Sequence, residues 1–428
     1  MCIRMEIASA GAGAPVPAEF SNLLARAGTQ APGLAGAGFA AALGFPRPLP
    51  GRADAERLVV LGIGGSALGA RSVHRACPGR GVIPMRVVDN IDPEAFESAW
   101  AAGDPARAAW VVVSKSGRTT ETLAQCTLAR ERLSRAGVWE RTRIVTGPTG
   151  PLRELAIADG LAVHDVPEEV GGRFSVFTPA ATVPLSLAGH DVDGLLAGAR
   201  AALDHCLRPA SIAANLAALL VGAAGEGRNV VALWSYAERL EPLGEWFRQL
   251  WAESLGKIRP DGRRTGQTPL VCVGSTDQHS VQQLMVEGPP DKVVVILAGP
   301  RGRGRGRGRW SDPGPVVPEG LAGAAGGHEM SEILHAMRRA TTAEMVRAGC
   351  PAATLHLEQW SEGCVGRLMM ILLCATVLAG ELLGVDPYGQ PGVEKAKLAT
   401  QDLLADPGGK TDLKIARLLG EGGGIRCS

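Results

Sequence analysis

Short apolar runs alternate with stretches of helical spacing along most of the chain. Runs rich in Val, Ile and Leu predict β-strands at 58–61, 85–88, 109–113, 142–146, 229–234, 270–273, 292–298 and 354–357. Apolar positions that repeat every three or four residues predict helices at 68–76, 123–133, 182–188, 210–224, 243–257, 328–349 and 365–383. Because strands that alternate with helices form parallel sheets covered on both faces, we predict an α/β fold that binds ligands at the carboxyl ends of its strands.

The length and the change of pattern along the chain predict its domains. At 428 residues, the chain exceeds what one hydrophobic core usually serves, so two domains are expected. A stretch of Ala, Gly and Pro with two short helical patterns, at 18–27 and 34–43, precedes them as a packing arm. The predicted divisions are an N-terminal arm, a first domain, a second domain and a C-terminal helical segment, at 1–50, 51–195, 196–385 and 386–428.

The composition is that of a folded protein with small-molecule partners. Hydrophobic residues make up 46% and charged residues 20%, and a net charge of +1 offers no field for nucleic acid or a membrane. The longest apolar run, 368–380, has 13 residues, fewer than the about 20 of a spanning helix, and predicts a buried helix. The start of the chain lacks a signal-peptide core. Nine cysteines without a C-x-x-C pair or metal-ligand spacing favour reduced thiols in the cytoplasm.

The stretch 114–122, SKSGRTTET, is the richest in candidate chemistry. It holds five hydroxyl side chains and one glycine, directly behind a predicted strand and in front of a predicted helix. Unpaired N–H groups at a helix N-terminus, the helix dipole and short hydroxyls together favour a dianion such as a phosphate monoester. The alternative is a set of helix-capping residues, since Ser and Thr are common caps. The number of hydroxyls favours phosphate.

A second loop, GIGGSA at 62–67, fits the pattern G-x-G-x-x-A between a strand and a helix. Taken alone it matches a dinucleotide-binding fingerprint, with Asp89 or Asp92 as the ribose-binding acid, about 25 residues downstream where about 20 is usual. The alternative is a glycine turn that brings backbone N–H groups and Ser66 to a sugar or a phosphate. By itself, the loop slightly favours the nucleotide.

Two further motifs carry charged side chains suited to acid–base chemistry. Two glycines precede Arg173, so the backbone can approach a ligand closely while the guanidinium offers a fixed fork of donors to an oxyanion. Glu253 and Lys257 lie four residues apart at the end of the helix predicted at 243–257. Each motif also has a simpler interpretation: Arg173 as a surface residue of a capping loop, and Glu253 with Lys257 as a helix salt bridge.

Three later stretches complete the candidates. His279 lies near the end of a polar loop, 274–280, at the start of the helix that the loop opens, although a lone histidine is more often structural. Five arginines alternate with glycine from Arg301 to Arg309, and this run resembles a nucleic-acid-binding tail. Because the run is short, internal and free of aromatic residues, we predict a surface loop instead. Pro391 marks a helix start, which would place Gln390 and Lys397 two turns apart on one face.

Together these motifs resemble the glucose-6-phosphate isomerase (phosphoglucose isomerase) family of glycolysis. The segments that carry the resemblance are GIGGS at 62–66, SKSGRTTET at 114–122, GGRFS at 171–175, ESLGK at 253–257, GSTDQH at 274–279 and QPGVE at 390–394 with Lys397. Each is weak alone, but six in the family's order between about residues 57 and 400 are specific. The resemblance implies two sugar-isomerase (SIS) domains, each a mainly parallel sheet flanked by helices, with an active site between them that a homodimer shares.

The resemblance also implies the site residues and their roles. Glu253 would be the base that carries a proton between C2 and C1, Arg173 would stabilise the charged intermediate, and His279 and Lys397 would assist ring opening. The implied phosphate- and substrate-binding residues are Ser66, Ser114, Lys115, Ser116, Thr119, Glu121 and Gln390. The chemistry agrees, because proton transfer beside a carbonyl requires a base and a positive group near the enediolate. A sugar phosphate is the implied substrate, with no cofactor and no metal, and the nucleotide interpretation of 62–67 is dropped.

Three residues depart from the family's pattern, and two other functions stay open. Ala67, Arg118 and Leu255 differ from the commoner residues, but none has a proposed catalytic role. The chain could be a catalytically silent SIS-domain regulator that binds a sugar phosphate, or an isomerase that also accepts mannose 6-phosphate. Retention of the base, the arginine, the histidine and the lysine together argues against the regulator, because a binding protein needs no base.

Overall fold

The computed structural model describes residues 2–8, 17–45, 49–79, 81–300 and 315–419. Ten strands within these ranges form two five-stranded sheets. The strands are β1 (Ile3–Ile7), β2 (Arg57–Leu61), β3 (Met85–Val88), β4 (Ala108–Ser114), β5 (Arg143–Thr146), β6 (Ala162–Asp165), β7 (Val230–Tyr236), β8 (Thr268–Val273), β9 (Lys292–Ala298) and β10 (Ala352–Leu357). The arginine–glycine run predicted as a loop at Arg301–Arg309 lies outside the described residues.

Helices fill most of the chain between the strands. They are α1 (Phe20–Gln30), α2 (Gly38–Ala41), α3 (Leu68–Ala76), α4 (Pro93–Ala101), α5 (Thr120–Arg135), α6 (Pro151–Ala158), α7 (Pro179–Ala188), α8 (Val192–Cys206), α9 (Ile212–Gly225), α10 (Glu241–Leu255), α11 (Gln282–Glu287), α12 (Met330–Arg347), α13 (Glu362–Leu383), α14 (Glu394–Ala405) and α15 (Lys410–Leu419). The prediction of one helix over 34–43 is wrong. Gly36 ends a 3₁₀ turn there and Gly38 begins the four-residue α2, because glycine weakens a continuous helix.

The first sheet is wholly parallel, with the strand order β3-β2-β4-β5-β6. The chain moves from β2 to β3 on one side, and then returns to place β4 on the other side of β2. The central strands carry β-branched residues buried on both faces, as the apolar runs predict. The carboxyl ends of β2 and β4 therefore form the point where the strand order reverses.

The second sheet has the order β8-β7-β9-β10-β1, and its strands β7 to β10 repeat this path. Its strands β7, β8, β9 and β10 are parallel, and β1 pairs antiparallel with β10, with Ile3 opposite Leu357. The sequence predicts only a packing arm at the N-terminus, but the structure uses part of it as an edge strand. The strand has only five residues, and its apolar and charged side chains alternate, with Ile3 buried and its neighbour Arg4 exposed.

Helix α13 is the centre of the largest hydrophobic core and packs against α8 and α9. A Cβ atom added to Gly198 of α8 would lie 1.9 Å from the carbonyl oxygen of Gly363, so the two helices need glycine where their backbones meet. The 22-residue α13 is long and apolar enough to cross a membrane, but 89% of its apolar window is buried inside the protein. It is the core helix that the run at 368–380 predicts.

The chain divides into two compact units, Met1–Pro387 and Tyr388–Ser428. Both sheets and their helices belong to the first unit, and α14 and α15 belong to the second. The architecture is that of an α/β protein with two mainly parallel sheets flanked by helices. The domain boundaries after residues 195 and 385 stay a prediction.

Candidate functional site

The strand-order reversal of the first sheet places two predicted loops side by side. β2 leads into the glycine loop at Gly62, and the neighbouring β4 ends at Ser114, where the hydroxyl-rich loop begins. A Cβ atom on Gly62 would lie 2.8 Å from the carbonyl oxygen of Val113. Glycine is therefore needed where the segments that follow β2 and β4 diverge. Open α/β sheets bind their ligands at an edge of this kind.

Three hydroxyl groups converge at the start of α5. Ser114 Oγ donates a hydrogen bond to Thr119 Oγ1 over 3.2 Å, and Ser116 Oγ lies 3.4 Å from the same oxygen. Thr119 is the N-cap residue of α5, yet its side chain makes no capping hydrogen bond. The hydroxyls face one another at the helix N-terminus, which favours an anion site over the capping interpretation.

Backbone contacts fix the shape of this loop. Gly117 has a φ of +62°, in the left-handed region that favours glycine, and its N–H donates to the carbonyl oxygen of Ser114 over 3.1 Å. Thr146 Oγ1 donates to the same carbonyl over 2.7 Å. The N–H of Arg118 donates to Ser116 Oγ over 3.2 Å, while the Arg118 side chain is exposed.

Lys115 and Glu121 are the charged members of the loop that were predicted to contact substrate. Lys115 Nζ donates to the carbonyl oxygen of Glu168 over 2.7 Å. Burial lowers the pKa of this ammonium group, although the Glu168 and Glu169 carboxylates act in the opposite direction. Glu121 is half-buried in the first turn of α5, where the helix dipole favours an acidic side chain.

The two glycine motifs pack backbone against backbone. A Cβ atom on Gly65 would lie 2.1 Å from the carbonyl oxygen of Gly172, so any side chain at Gly65 would displace the Arg173 segment. Ser175 Oγ donates to both carbonyls, over 3.1 Å to Gly65 and 2.7 Å to Gly172. Ser66 is half-buried at the end of the same 3₁₀ turn. The motifs at 62–67 and 171–175 thus form one surface.

The two acids considered for a ribose have other partners. Asp89 Oδ2 accepts a hydrogen bond from Arg71 over 3.0 Å, and Asp92 caps α4 by accepting from the N–H of Ala95 over 3.0 Å. Gly172 also occupies the space beside Gly65. These contacts argue against a dinucleotide at the glycine loop.

Arg173 is a buried cation, with only 1% of its side chain exposed. Its Nε donates to Ser254 Oγ over 2.7 Å, one terminal nitrogen donates to Glu253 Oε2 over 3.3 Å, and the other donates to the carbonyl oxygen of Pro387 over 2.5 Å. Burial lowers the pKa of the guanidinium, and Glu253 opposes this effect. The interpretation of Arg173 as a surface residue is wrong, because three partners hold its side chain inside the protein.

Glu253 lies in the last turn of α10 with 30% of its side chain exposed. Its Oε2 accepts from Arg173, and its Oε1 accepts from Gln249 Nε2 over 3.2 Å. Gln249 precedes Glu253 by one helical turn, so both project from the same face of α10. Because α10 ends at Leu255, Lys257 lies beyond the helix rather than one turn further along it.

Lys257 is a second partly buried cation that is influenced by Arg173. Burial is the largest cause that lowers the pKa of Lys257, and the nearby Arg173 adds to it, while Asp386 and Glu253 raise it. Arg173 and Lys115 have pKa values lowered by burial as well. Buried cations whose desolvation is only partly offset favour an anionic ligand. The hydroxyl loop can hold an anion, and Glu253 supplies a carboxylate in contact with the fixed Arg173.

Comparison with known proteins agrees with this chemistry. A sequence model of the family described as phosphoglucose isomerase matches residues 51–303. A protein of Haloarcula marismortui named probable glucose-6-phosphate isomerase is 42% identical over 360 residues, which cover 82% of this chain and 79% of the relative. The chain belongs to the phosphoglucose isomerase family.

Further relatives and solved structures extend the match. The glucose-6-phosphate isomerase of Rubrobacter xylanophilus is 40% identical over 379 residues, covering 83% of this chain and 84% of that one. A crystal structure of a hypothetical protein from Thermus thermophilus is 32% identical with a TM-score of 0.75 and covers 91% of both chains. A glucose-6-phosphate isomerase structure from Chlamydia trachomatis, at 22% identity and a TM-score of 0.73, covers 94% of this chain and 76% of its own and shares the fold.

The structure brings some of the predicted phosphoglucose isomerase residues together and leaves others apart. Glu253 and Arg173 are in contact, and the segment that carries Arg173 packs against the glycine loop that follows β2. His279 is exposed on a 3₁₀ turn after β8, in the second sheet. The roles assigned to these residues stay predictions.

Hydrogen bonds anchor the turn that carries His279. Gln278 Nε2 donates to Tyr236 Oη and to Thr341 Oγ1, each over 2.7 Å. Asp277 Oδ2 accepts from the N–H of Val273 over 2.6 Å. The residues before His279 are therefore fixed against β7 and α12, while His279 itself remains accessible.

Gln390 and Lys397 lie in the second compact unit. Gln390 has an extended φ of −150° and precedes a 3₁₀ turn, Pro391–Val393, so the prediction that it shares a helical face with Lys397 is wrong. The physical reason is Pro391, since proline disfavours a helical conformation in the residue before it. Lys397 is exposed on α14, and its Nζ donates to Glu394 Oε1 over 2.9 Å.

Three residues that support the site were not predicted from the sequence: Gln249, Ser254 and Ser175. Gln249 carries a usable signal, because it lies four residues before Glu253 on a helix whose apolar face is evident. Ser254 stands between two charged positions in sequence, and nothing local indicates that its hydroxyl accepts from Arg173. Ser175 holds two carbonyls that only the folded chain brings together.

Ala67 and Leu255, which depart from the family's pattern, have buried side chains that serve packing. Ala67 is fully buried at the N-cap of α3, and Leu255 is 1% exposed at the end of α10, where it joins the largest core. A small residue and an apolar residue suit these two positions. Neither side chain offers a polar group to a ligand.

The cysteines and acids give no sign of metal chemistry in the part of the chain that the structure describes. No group of three or more His, Cys, Asp or Glu side chains there could hold a metal ion. The described cysteines are free thiols. Burial raises the pKa of Cys126 and of Cys272 to about 12, which keeps both protonated and unreactive.

Proposed function

We propose that the chain interconverts glucose 6-phosphate and fructose 6-phosphate as an aldose–ketose isomerase of glycolysis and gluconeogenesis. The observation that carries the proposal is the contact of the buried Arg173 with the partly exposed Glu253, together with the hydroxyl cluster at the start of α5. The hydroxyls of Ser114, Ser116 and Thr119, together with Lys115, would hold the phosphate. Ser66, Glu121 and Gln390 would position the sugar.

The reaction requires ring opening and then proton transfer between adjacent carbons. We propose that Glu253 removes the proton from C2 of the open aldose, and that the electrons move onto the C1 carbonyl oxygen as the enediolate forms. Glu253 then returns the proton to C1 while the proton of the C2 hydroxyl passes to the negatively charged oxygen on C1, giving the ketose. A carboxylate suits this role, because it is ionised at neutral pH and its two oxygens can serve neighbouring carbons.

Arg173 is proposed to stabilise the enediolate. Its guanidinium is fixed by Ser254 and Pro387, so it needs no reorganisation when negative charge develops nearby. A preorganised donor of this kind contributes about 3 to 4 kcal/mol to the transition state in other enzymes. The burial of Arg173 increases its effect, because charge interactions strengthen where water is excluded.

His279 and Lys397 are proposed to assist ring opening, a role taken from the family resemblance. His279 belongs to the second sheet and is exposed on an anchored turn, which suits a residue donated to the site of a second copy. We therefore propose a homodimer with shared sites. The free and mostly buried thiols favour a reducing compartment such as the cytoplasm.

The decisive experiment measures isomerisation by the purified chain. Fructose 6-phosphate is supplied with a chelator present, and glucose 6-phosphate is detected with a coupled dehydrogenase. We expect turnover without added metal. Phosphate-ester binding without turnover would instead support the silent SIS-domain regulator. A parallel assay with mannose 6-phosphate tests the broader isomerase, and equal rates on both substrates would favour that function.

A further inference from the structure

The second sheet also has a strand-order reversal, and a cavity lies there. β8 and β9 flank β7 on opposite sides, as β3 and β4 flank β2 in the first sheet. A cavity of about 1120 Å³ is lined by the carboxyl ends of β7 and β9 and by the first half of α12. The position is equivalent to that of the glycine and hydroxyl loops in the first sheet. None of the proposed catalytic or phosphate-binding residues lines it.

Two arginines form the cationic wall of this cavity. The Arg239 guanidinium lies over the indole of Trp360, 4.4 Å from the ring centroid, and both residues line the cavity. Arg338 projects from α12 and is 5% exposed, with a terminal nitrogen 3.3 Å from His335 Nδ1. Stacking and burial restrict both guanidinium groups, so little freedom is lost when an anion binds them.

The acidic residues that line the cavity lie at its rim, where each is paired with a basic side chain. Glu238 accepts from Arg75 over 2.9 Å, with 75% and 57% of their side chains exposed. Glu332 lies 3.4 Å from His328, and 59% of each side chain is exposed. These carboxylates are solvated and paired, so they offset the more deeply placed arginines only weakly.

The remaining wall is apolar. Ile333, Leu334 and Met337 of α12 line the cavity, and Gly299 at the end of β9 leaves room for Trp360. A Cβ atom on Gly299 would lie 2.7 Å from the indole. The cavity therefore joins a cationic wall to an apolar wall, and its volume reaches that of pockets for sizeable small molecules, about 300 to 1,000 Å³.

We propose that this cavity is a second ligand site, which binds a phosphorylated small molecule. Arg239 and Arg338 would bind the phosphate, because guanidinium forks match the oxygens of a phosphate group. The body of the ligand would lie against the apolar side of α12. The site is separate from the catalytic edge, and its occupation does not depend on the isomerase reaction.

The test counts binding sites for inorganic pyrophosphate on the full-length chain. Equilibrium dialysis with radiolabelled pyrophosphate is expected to give two sites per chain, one at the hydroxyl loop and one at the cavity. Arg239→Gln should weaken one site by about tenfold or more, the effect of losing one charge-assisted hydrogen bond. Lys115→Met should weaken the other. The double variant should lose both.

Controls separate the cavity from general charge effects. Arg141→Gln removes an exposed arginine, with 70% of its side chain accessible, and should leave both sites intact. Arg338→Gln supplies a second change at the cavity, and its thermal unfolding is compared with that of Arg239→Gln to verify folding. A single site that Arg239→Gln does not affect would overturn the proposal. So would a second site that persists in both folded cavity variants.

Discussion

The two sheets share the order of their first four parallel strands, but their carboxyl edges carry different chemistry. The first edge is built from glycines, short hydroxyls and a helix N-terminus, with the buried Arg173 holding Glu253. The second edge presents long cationic side chains around a cavity and a histidine on an exposed turn. The comparison shows that strand order determines where a site can form, whereas the loops that follow the strands determine what the site binds.

The largest expected effect comes from the carboxylate of the first edge. We expect Glu253→Gln to lower kcat by about 10² to 10⁴-fold, because the amide cannot accept the C2 proton. Substrate binding should change little, since the amide keeps the shape of the side chain. The matched change at the second edge, Glu238→Gln, should leave kcat unaltered. Steady-state kinetics with fructose 6-phosphate measures both, and an unaltered kcat in Glu253→Gln would remove Glu253 from the role of base.

Arg173→Lys should give the next largest effect. Lysine keeps the charge but cannot serve Ser254, Glu253 and Pro387 together. We expect kcat to fall by about 10² to 10³-fold, the effect of removing one preorganised donor. Arg239→Lys at the second edge provides the comparison and should leave kcat within about twofold. If the two variants lost kcat equally, the division of labour between the edges would be wrong.

A chain of hydrogen bonds through two histidines links α3 to the start of α13, and acid should weaken it. His74 Nε2 accepts from the N–H of Met85, so its Nδ1 carries the proton that it donates to His190 Nε2 over 3.0 Å, and His190 Nδ1 donates to Glu362 over 3.0 Å. Burial, the neighbouring His190 and Arg75 lower the pKa of His74 from 6.5 to about 4. The folded chain therefore keeps His74 neutral at a pH where the unfolded chain binds a proton.

The sign of the stability change follows from this lowered pKa. Between pH 6.5 and about 4 the unfolded chain binds more protons at His74, so the free energy of unfolding falls as the pH is lowered, by at most about 3 kcal/mol. Chemical denaturation at several pH values measures the slope. His74→Gln should flatten it, whereas His328→Gln, at an exposed site, should not. An identical slope in His74→Gln would assign the acid sensitivity to other groups.

Local pattern predicts most elements of the fold because each strand and helix carries its own periodicity. The bounds of β3, β9 and α3 agree with the predictions to the residue. The alternation of strands and helices also predicts that ligand loops lie at carboxyl ends, where the loops of Gly62 and Ser114 meet.

The remaining features depend on contacts between distant parts of the chain. Strand β1 is short, and its pairing with β10, 350 residues away in sequence, has no local signal. The chain of His74, His190 and Glu362 likewise joins three separate helical regions. For the site, the family resemblance names Arg173 and Glu253 but not the supporting Gln249, which only the folded α10 places beside the carboxylate.

The smallest expected effect tests the unusual Arg118 in the hydroxyl loop. Its side chain is exposed, and the contact that shapes the loop comes from its backbone N–H, which any residue other than proline supplies. Arg118→Thr should therefore change KM for fructose 6-phosphate by less than about twofold, because a solvated charge is screened by salt. Lys115→Met, in the same loop, should raise KM by about tenfold or more, because it removes a partly buried ammonium group that is proposed to bind the phosphate. Repeating both measurements at low and high ionic strength sharpens the contrast. If KM rose equally in the two variants and the Arg118→Thr effect persisted at high salt, Arg118 would be a direct phosphate ligand, and the first edge would bind its anion with an arginine, as the second edge is proposed to do.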